Sequence, residues 1–366
     1  MKELSHDEAV KLVYKLTPQI KEYDDFMYMG VRWLPYTMFF QHPDYKSDVI
    51  NTDALGFRVS HNGKREIKVS SHNKINTTNL IVGGSTVMGT GASSDQYTLS
   101  SQLSKIRGED WLNFSCRGYN ARQEMLLFLM HKERFESIDK VIIFSGMNTL
   151  SLEGLPSEYA SDNGRYYYSF EFEHYMNKYN EDLTNRKNGY SDEVTGRNIF
   201  SKVKQRIKDA FEEENPVDKK IFDSGENVIE RVERAADETL KNLRVWKSLL
   251  VEHGSKLIFI QQPLASWTKD IFTQEEKEVF HAIDSCPNNF WRLFGHILGK
   301  EMHMVFSDRV REGCRKLEIP YFDMNEEIAT SSYCDDYIFV DRVHFNDYGH
   351  EKVSETISSL IDKIDF

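Results

Sequence analysis

Short apolar segments recur along the chain, each bounded by turn residues. Four are clear and a fifth is weaker: Asn79–Gly83, Trp111–Ser115, Val141–Ser145, Lys256–Gln261 and Ile319–Asp323. Their apolar residues are continuous rather than alternating, which is typical of strands that are buried on both faces of a sheet. The pattern therefore predicts a set of buried, parallel strands.

Between these segments, apolar residues recur three and four positions apart. This spacing predicts amphipathic helices over residues 121–135, 228–252, 306–317 and 348–361. Strands that alternate with helices favour an α/β fold in which helices cover both faces of the sheet. We therefore expect a three-layer α/β/α sandwich with a flavodoxin-like parallel sheet of about five strands.

Two segments interrupt this alternation. Residues 1–75 precede the first strand and are rich in aromatic and polar residues. We expect them to form an N-terminal extension that packs on the core domain, residues 76–366. Residues 151–225 separate the third strand from the next long helix, which is far longer than an ordinary connection. We interpret this segment as a partly helical insertion that serves as a lid or a substrate subdomain.

The composition and charge of the chain argue against some classes of function. The chain has 366 residues, of which 40% are hydrophobic and 28% charged, as is usual for a soluble globular protein. Acidic residues outnumber basic ones, 58 against 46, for a net charge of −12. This excess argues against nucleic-acid partners and against docking on anionic lipid. No apolar run has the roughly 18 residues of a membrane span. Four scattered cysteines and a charged N-terminus predict a cytoplasmic protein with reduced thiols.

The first strand ends in a glycine-rich turn, Gly83-Gly-Ser-Thr-Val-Met-Gly-Thr-Gly91. A phosphate-binding loop would need a lysine that is missing here, and the glycines do not have the spacing of a dinucleotide fingerprint. A third interpretation makes Ser85 a nucleophile, because α/β proteins place their sites at the carboxyl ends of parallel strands. A merely structural turn is the remaining alternative.

Asp341 and His344 lie three residues apart, just before the predicted C-terminal helix. A serine hydroxyl is a poor nucleophile until a base takes its proton, and histidine is the usual base. A carboxylate then has to orient the imidazole ring. This pair would supply both groups to Ser85, although a helix-capping aspartate and a surface histidine would show the same spacing.

Two further strand ends carry candidate oxyanion donors. Gly118 follows the second strand, and Asn148 follows the third. A tetrahedral acyl intermediate needs hydrogen-bond donors directed at its oxyanion. The backbone N–H groups of Gly118 and Ser85 and the side-chain amide of Asn148 would supply these donors.

In their order along the chain, these residues resemble the four sequence blocks of the SGNH hydrolases, also called GDSL-type esterases. The blocks carry, in turn, Ser85, Gly118, Asn148, and Asp341 with His344. The resemblance covers approximately residues 76–150 and 235–366.

The chain departs from the family pattern at two positions. Gly84 stands where the name-giving motif has aspartate, and Thr149 stands where aspartate often follows the asparagine. Neither is a catalytic position of the family. Gly-Gly-Ser-Thr together with the upstream stretch Asn51-Thr-Asp-Ala-Leu-Gly-Phe-Arg58 resembles a subgroup linked to bacterial surface-polysaccharide synthesis.

The resemblance implies a serine esterase that removes an acyl group, best taken as acetyl, from an O-acylated saccharide or glycan precursor. Ser85 would attack, His344 would act as base, and Asp341 would orient the ring. An O-acyltransferase would use the same residues and is the main alternative. A non-catalytic carbohydrate-binding protein is a third, but such a protein would be expected to have lost Ser85, Asp341 or His344. The chemistry needs no cofactor.

Three arginines are candidate substrate-binding residues. Arg58 would contact an anion or a sugar, although pairing with a buried carboxylate is an equally good interpretation. Arg117 and Arg122 flank the predicted oxyanion loop, where they would suit an anionic substrate. The histidines at positions 281, 296 and 303 lack the spacing of metal ligands, so we expect no metal site.

Tyr167 is the last candidate. It lies in a cluster with Tyr166, Tyr168, Phe170 and Phe172. These rings would form a sugar-stacking lid, but alternating aromatic residues also fit the core of a small subdomain.

Overall fold

The computed structural model describes residues 4–72, 76–155, 157, 160–161, 163–168, 180, 226–286 and 290–364. Most of the predicted insertion, including Phe170 and Phe172, lies outside these residues. The interpretation of that segment as a lid or subdomain therefore stays a prediction.

A five-stranded parallel sheet forms the centre of the molecule. Its strands are β5 (Thr78–Gly83), β6 (Trp111–Ser115), β7 (Ile138–Ser145), β8 (Lys256–Gln261) and β9 (Tyr321–Asp323). The spatial order is β6-β5-β7-β8-β9, and every pair is parallel. Numbered along the chain from the first core strand, the five strands lie in the order 2-1-3-4-5. Flavodoxin-like sheets have the same order. The fold-class prediction is confirmed.

The register brings the carboxyl ends of neighbouring strands to one edge. Gly83 pairs with Ser115 on one side and Phe144 on the other. The adjoining pairs bring Ser145 beside Gln261, and Gln261 beside Asp323. Whatever follows these strands therefore lies at the same edge of the sheet.

Helices cover both faces because successive strand residues point to opposite sides. Leu80 and Val82 of β5 pack in one apolar cluster, and Ile81 between them packs in another. The first face is covered by α5 (Ala121–His131), α7 (Val228–Leu250) and α11 (Lys300–Lys316). The second face is covered by α4 (Leu99–Arg107), α9 (Gln274–Asp284) and α13 (Asp347–Asp362). Sequence periodicity predicted α5, α7, α11 and α13, but not α4 or α9.

Short helices fill the connections. They are α3 (Ser85–Met88), α6 (Met147–Glu153), α8 (Ala265–Thr268), α10 (Phe290–Phe294) and α12 (Met324–Ala329). Two of them, α3 and α6, begin at the strand-end edge, directly after β5 and β7.

The N-terminal segment contains two helices and two small hairpins. These are α1 (His6–Leu16), α2 (Ile20–Tyr28), β1 (Arg32–Leu34) with β2 (Met38–Phe40), and β3 (Ser60–His61) with β4 (Glu66–Ile67). Phe40 and Phe57 pack in the same apolar cluster as Phe114 of β6. The Tyr23 hydroxyl donates to the carbonyls of Gly89 and Ala92, just after α3. This segment thus contacts the loop that follows Ser85.

A buried carboxyl group of α5 gives a test of the packing. Glu124 accepts a hydrogen bond from the Ser145 hydroxyl at 2.7 Å, and its second oxygen has no partner among the described residues. Burial raises the pKa of Glu124 to about 8, although the hydrogen bond from Ser145 opposes the shift. The folded protein therefore holds a proton that the unfolded chain releases near its ordinary pKa of about 4.3.

We expect the wild type to lose stability, through this group, as the pH rises from about 5 to 8. Glu124→Gln cannot titrate, so the variant should gain stability relative to the wild type over that range. Urea unfolding at both pH values measures the difference, with the exposed Glu133→Gln as a control. A difference between Glu124→Gln and the wild type that is the same at both pH values would contradict the buried, protonated carboxyl group.

Candidate active site

Ser85 is the first residue of α3, at the turn that follows β5. The turn needs glycine at position 83, because a Cβ there would lie 2.3 Å from the Phe144 carbonyl oxygen. The helix is only four residues long and is capped by Gly89, whose φ is +92°. The other three residues of α3 are buried, whereas Ser85 is only half-buried. The local fold therefore leaves the serine hydroxyl accessible at the strand-end edge.

Asp341 and His344 lie on a tight loop before α13. Phe339 and Phe345 pair across the base of this loop, and the Val340 N–H donates to the His344 carbonyl at 2.9 Å. One Asp341 oxygen, Oδ1, accepts the backbone N–H groups of Val343 and His344, each at 2.7 Å. The other oxygen is thereby directed at the imidazole.

The two ends of the chain meet in one hydrogen-bonded series. Asp341 Oδ2 lies 2.6 Å from His344 Nδ1, and His344 Nε2 lies 2.7 Å from Ser85 Oγ. The two side chains of the loop are partly accessible, 23% for Asp341 and 16% for His344. The predicted Ser85, His344 and Asp341 are therefore brought together, in the order that a nucleophile, a base and an orienting carboxylate require.

Electrostatics support this order. Burial alone would raise the pKa of Asp341, but the His344 ring and the two backbone N–H groups hold it below its usual value. An ionised carboxylate only accepts hydrogen bonds, so Nδ1 carries the ring hydrogen. Nε2 then offers its lone pair to the Ser85 hydroxyl.

Gly118 and Asn148 lie on the connections that follow β6 and β7. Gly118 has a φ of +75°, a conformation that side chains rarely adopt. Among the described residues, no group accepts a hydrogen bond from the N–H of Ser85 or Gly118. One hydrogen of the Asn148 amide binds the Tyr119 carbonyl at 2.8 Å, which leaves the other available.

Asn148 also lies against the turn that carries Gly84 and Ser85. A Cβ added to Gly84 would lie 2.5 Å from Asn148 Nδ2. The departure from the family pattern at position 84 therefore has a structural consequence, because the missing side chain makes room for the amide. The other departure, Thr149, accepts the N–H of Ala121 at 3.0 Å and ties α6 to the start of α5.

Arg58 does not line the site, so its assignment as a substrate-binding candidate is wrong. Its side chain is fully buried and donates to the Asp95 carboxylate at 2.7 Å. The guanidinium also donates to the Tyr23 hydroxyl and to the carbonyls of Val49, Met88 and Gly89. Since Met88 is the last residue of α3 and Gly89 caps it, Arg58 holds the C-terminal end of the helix that begins with Ser85.

Arg122 has a partner within the chain. Its Nε donates to Glu238 Oε1 of α7 at 3.0 Å, and Nη2 binds the same oxygen. The carboxylate compensates its charge, so the structure gives no support to Arg122 as an anion-binding residue.

Tyr167 lies beside the oxyanion loop. A Cβ on Gly118 would be 3.1 Å from its ring, and its hydroxyl lies 3.4 Å from Ser151 Oγ. Burial raises the pKa of Tyr167 to about 12. The ring is therefore placed next to the site, and its role as a stacking surface stays a prediction.

Sequence reasoning missed a buried ion pair next to the loop that carries Asp341 and His344. Lys269 Nζ lies 2.9 Å from Glu276 Oε2, and both side chains are almost completely buried. Glu276 Oε1 accepts the backbone N–H groups of Ile338 and Phe339, at the start of the loop. Glu276 also closes a capping box with Thr273, a local pattern that the sequence does carry. Its hydrogen bonds to the loop, 62 residues away, could not be predicted from the residues around Glu276.

We expect Glu276→Ala to destabilise the protein by about 3–5 kcal/mol, because it leaves a buried lysine without its partner. Glu275→Ala, at an exposed position in the same helical turn, should cost less than about 1 kcal/mol. Urea unfolding followed by circular dichroism measures both changes. Equal effects of the two substitutions would show that the buried pair does not hold the loop.

No described helix is long and apolar enough to cross a membrane. Within the described ranges, no group of three or more His, Cys, Asp or Glu residues is placed to hold a metal ion.

No protein-family model matches the chain, and no curated protein matches its sequence. Several solved structures resemble it. A lipase/acylhydrolase from Enterococcus faecalis is 13% identical, with a TM-score of 0.39 over 78% of this chain and 95% of that one. A GDSL-like lipase from Bacteroides thetaiotaomicron is 11% identical, with a TM-score of 0.41 over 81% and 94%. A carbohydrate acetylesterase from Sinorhizobium meliloti is 10% identical, with a TM-score of 0.40 over 78% and 99%.

Proposed function

We propose that the chain is a serine esterase of the SGNH type, and that it removes an acetyl group from an O-acetylated saccharide. The observation that carries the proposal is the hydrogen-bonded series from Asp341 through His344 to Ser85, with distances of 2.6 and 2.7 Å. Such a series activates a hydroxyl that would otherwise be a poor nucleophile. The choice of a saccharide rests on the resemblance of the Gly-Gly-Ser-Thr and upstream motifs.

Acylation begins when Ser85 Oγ attacks the ester carbonyl carbon and its proton passes to His344 Nε2. The tetrahedral intermediate then collapses. The bond to the sugar oxygen breaks, and the imidazolium returns its proton to that oxygen, so that the free sugar hydroxyl leaves. Asp341 stays ionised and stabilises the imidazolium while it carries the extra proton.

Deacylation repeats these steps with water as the nucleophile. His344 takes one proton from water as the oxygen attacks the acetyl-serine carbonyl, and returns it to Ser85 Oγ as acetic acid leaves, which then releases the second proton to solvent as acetate forms. In both halves, the N–H groups of Ser85 and Gly118 and the Asn148 amide donate to the oxyanion. If a sugar hydroxyl replaces water in this step, the same residues perform acetyl transfer.

The nucleophile is tested by active-site labelling. A fluorophosphonate probe should label the wild type, and Ser85→Ala should remove both the labelling and the release of acetate from acetylated sugars. Ser93→Ala is the matched control, because Ser93 is an exposed serine in the loop that follows α3. It should keep both signals. Labelling that survives in Ser85→Ala would contradict the assignment.

The same assay separates hydrolysis from transfer when a panel of sugar acceptors is added. Acetate release that is independent of the acceptor supports the esterase. Acetylation of an added sugar in preference to water would identify the acyltransferase instead.

A double-substitution cycle tests the Asn148 amide. Asn148→Ala should lower kcat by about 10²–10³ and leave KM nearly unchanged, because the hydrogen bond strengthens only in the transition state. Gly84→Ala should also lower kcat, since its Cβ would displace Asn148 Nδ2. If it acts only through that amide, Gly84→Ala should have little further effect in the Asn148→Ala background. Additive losses would show that position 84 acts by another route.

The pH dependence tests the base. Activity should fall as the solution is acidified, because a protonated His344 ring cannot accept the serine proton. Because the pKa of Asp341 is held below its usual value, its carboxylate stays ionised as the solution is acidified. The fall in activity on the acidic side of the pH profile, its acidic limb, therefore tests His344. The residual activity of His344→Ala should lack this limb, while Asn148→Ala should keep it. Asp341→Asn should lose roughly 10⁴ in kcat. An acidic limb that persists in His344→Ala would contradict the role of His344.

A further inference from the structure

Arg117 is a cation without a counterion in the described part of the chain. It directly precedes Gly118 and is half-buried. Its Nη1 is inaccessible to solvent and has no hydrogen-bond partner among the residues that the structure describes. Among the described residues, no carboxylate lies within ion-pair distance of its guanidinium, and burial lowers the pKa of Arg117. An unpaired, partly desolvated guanidinium is costly unless an anion compensates it.

Other arginines with a buried, unpaired nitrogen differ in one respect. Arg107, Arg165 and Arg231 each have such an atom, but each also forms an ion pair with a carboxylate. Arg122, five residues along the chain from Arg117, pairs with Glu238. Arg117 differs from these arginines because no carboxylate of the described residues compensates its charge.

An aromatic ring of the N-terminal segment packs against the guanidinium of Arg117. The guanidinium lies over the ring of Phe26 in α2, with its Cζ 5.7 Å from the ring centroid. Phe26 packs in the same small cluster as Met88, the last residue of the nucleophile helix. A ring that covers one face of a guanidinium leaves the N–H groups at its edge available for polar contacts.

We propose that Arg117 binds an anionic group on the substrate, a carboxylate or a phosphate of the saccharide, and so selects acidic esters over neutral ones. This inference rests on the proposed esterase function and names its substrate class. The planar fork of a guanidinium matches both anions in a bidentate manner. Because Arg117 is the neighbour of Gly118, the anion would lie beside the ester whose oxyanion Gly118 holds.

Matched aryl esters test the proposal without knowledge of the sugar. The substrates are the acetate esters of 4-hydroxybenzoate, of 4-hydroxyphenyl phosphate and of methyl 4-hydroxybenzoate, which differ in charge at one position. The quantity measured is the ratio of kcat/KM for each anionic ester to that for the neutral ester. Comparison of this ratio between variants removes the intrinsic reactivity of each ester.

Arg117→Met should lower the ratio by about 10- to 100-fold, the usual value of a charge-assisted hydrogen bond. Arg117→Lys should keep part of it, because the charge remains but the fork is lost. Arg122→Met removes a neighbouring charge that already has a partner, and should leave the ratio unchanged. The carboxylate and phosphate arms show which anion is preferred.

The outcomes separate this inference from the proposed function. An unchanged ratio in Arg117→Met, in a protein that cleaves all three esters, would overturn the role of Arg117 and leave the esterase intact. If the wild type cleaves none of them, the esterase proposal fails instead. Titration calorimetry with 4-hydroxybenzoate and its methyl ester then still decides the point. If 4-hydroxybenzoate binds more tightly than its methyl ester, and Arg117→Met removes this difference, the inference is supported. Equal binding of the two compounds to the wild type overturns it.

Discussion

The hydrogen bond between His344 Nε2 and Ser85 Oγ joins two points of the chain that are 259 residues apart. It forms only if the turn after β5 and the loop before α13 are both held to within a fraction of an ångström. Much of the architecture around the sheet serves this requirement. The parallel register brings the strand ends to one edge, and the short connections then place the Asn148 amide against the turn that carries Ser85 and bond it to Tyr119, the neighbour of Gly118.

Each half of this contact is held by a buried charge. On the serine side, the guanidinium of Arg58 binds the carbonyls that end α3 and is itself neutralised by Asp95. On the histidine side, Glu276 binds the backbone at the start of the loop and is neutralised by Lys269. Buried ion pairs are weak as a source of net stability but costly to break. Their value here is that they fix the backbone, so the N-terminal segment, which contributes Arg58, belongs to the structural support of the site.

The sequence predicted the features that local patterns encode. Continuous apolar runs predicted the strands. Residue types that follow strand ends made Ser85, Gly118 and Asn148 candidates, and a three-residue spacing before the last helix made Asp341 and His344 candidates. It was ambiguous where a side chain has two physical uses. Arg58 is an example, because a guanidinium suits a buried carboxylate as well as a substrate, and only the packing distinguishes the two. Glu276 was missed because its partners at Ile338 and Phe339 are set by tertiary structure. That Arg117 has no carboxylate partner among the described residues is likewise visible only once its neighbours are known.

The central claim is that Ser85 becomes covalently acylated through His344. An aryl N-methylcarbamate tests it most directly, because carbamoyl-serine hydrolyses slowly and can be collected. Intact-protein mass spectrometry followed by peptide mapping should show one carbamoyl group per chain, on Ser85, with one equivalent of phenol released. Modification should be absent in Ser85→Ala and strongly slowed in His344→Ala. A carbamoyl group on any other residue, or equally fast modification in His344→Ala, would contradict the account.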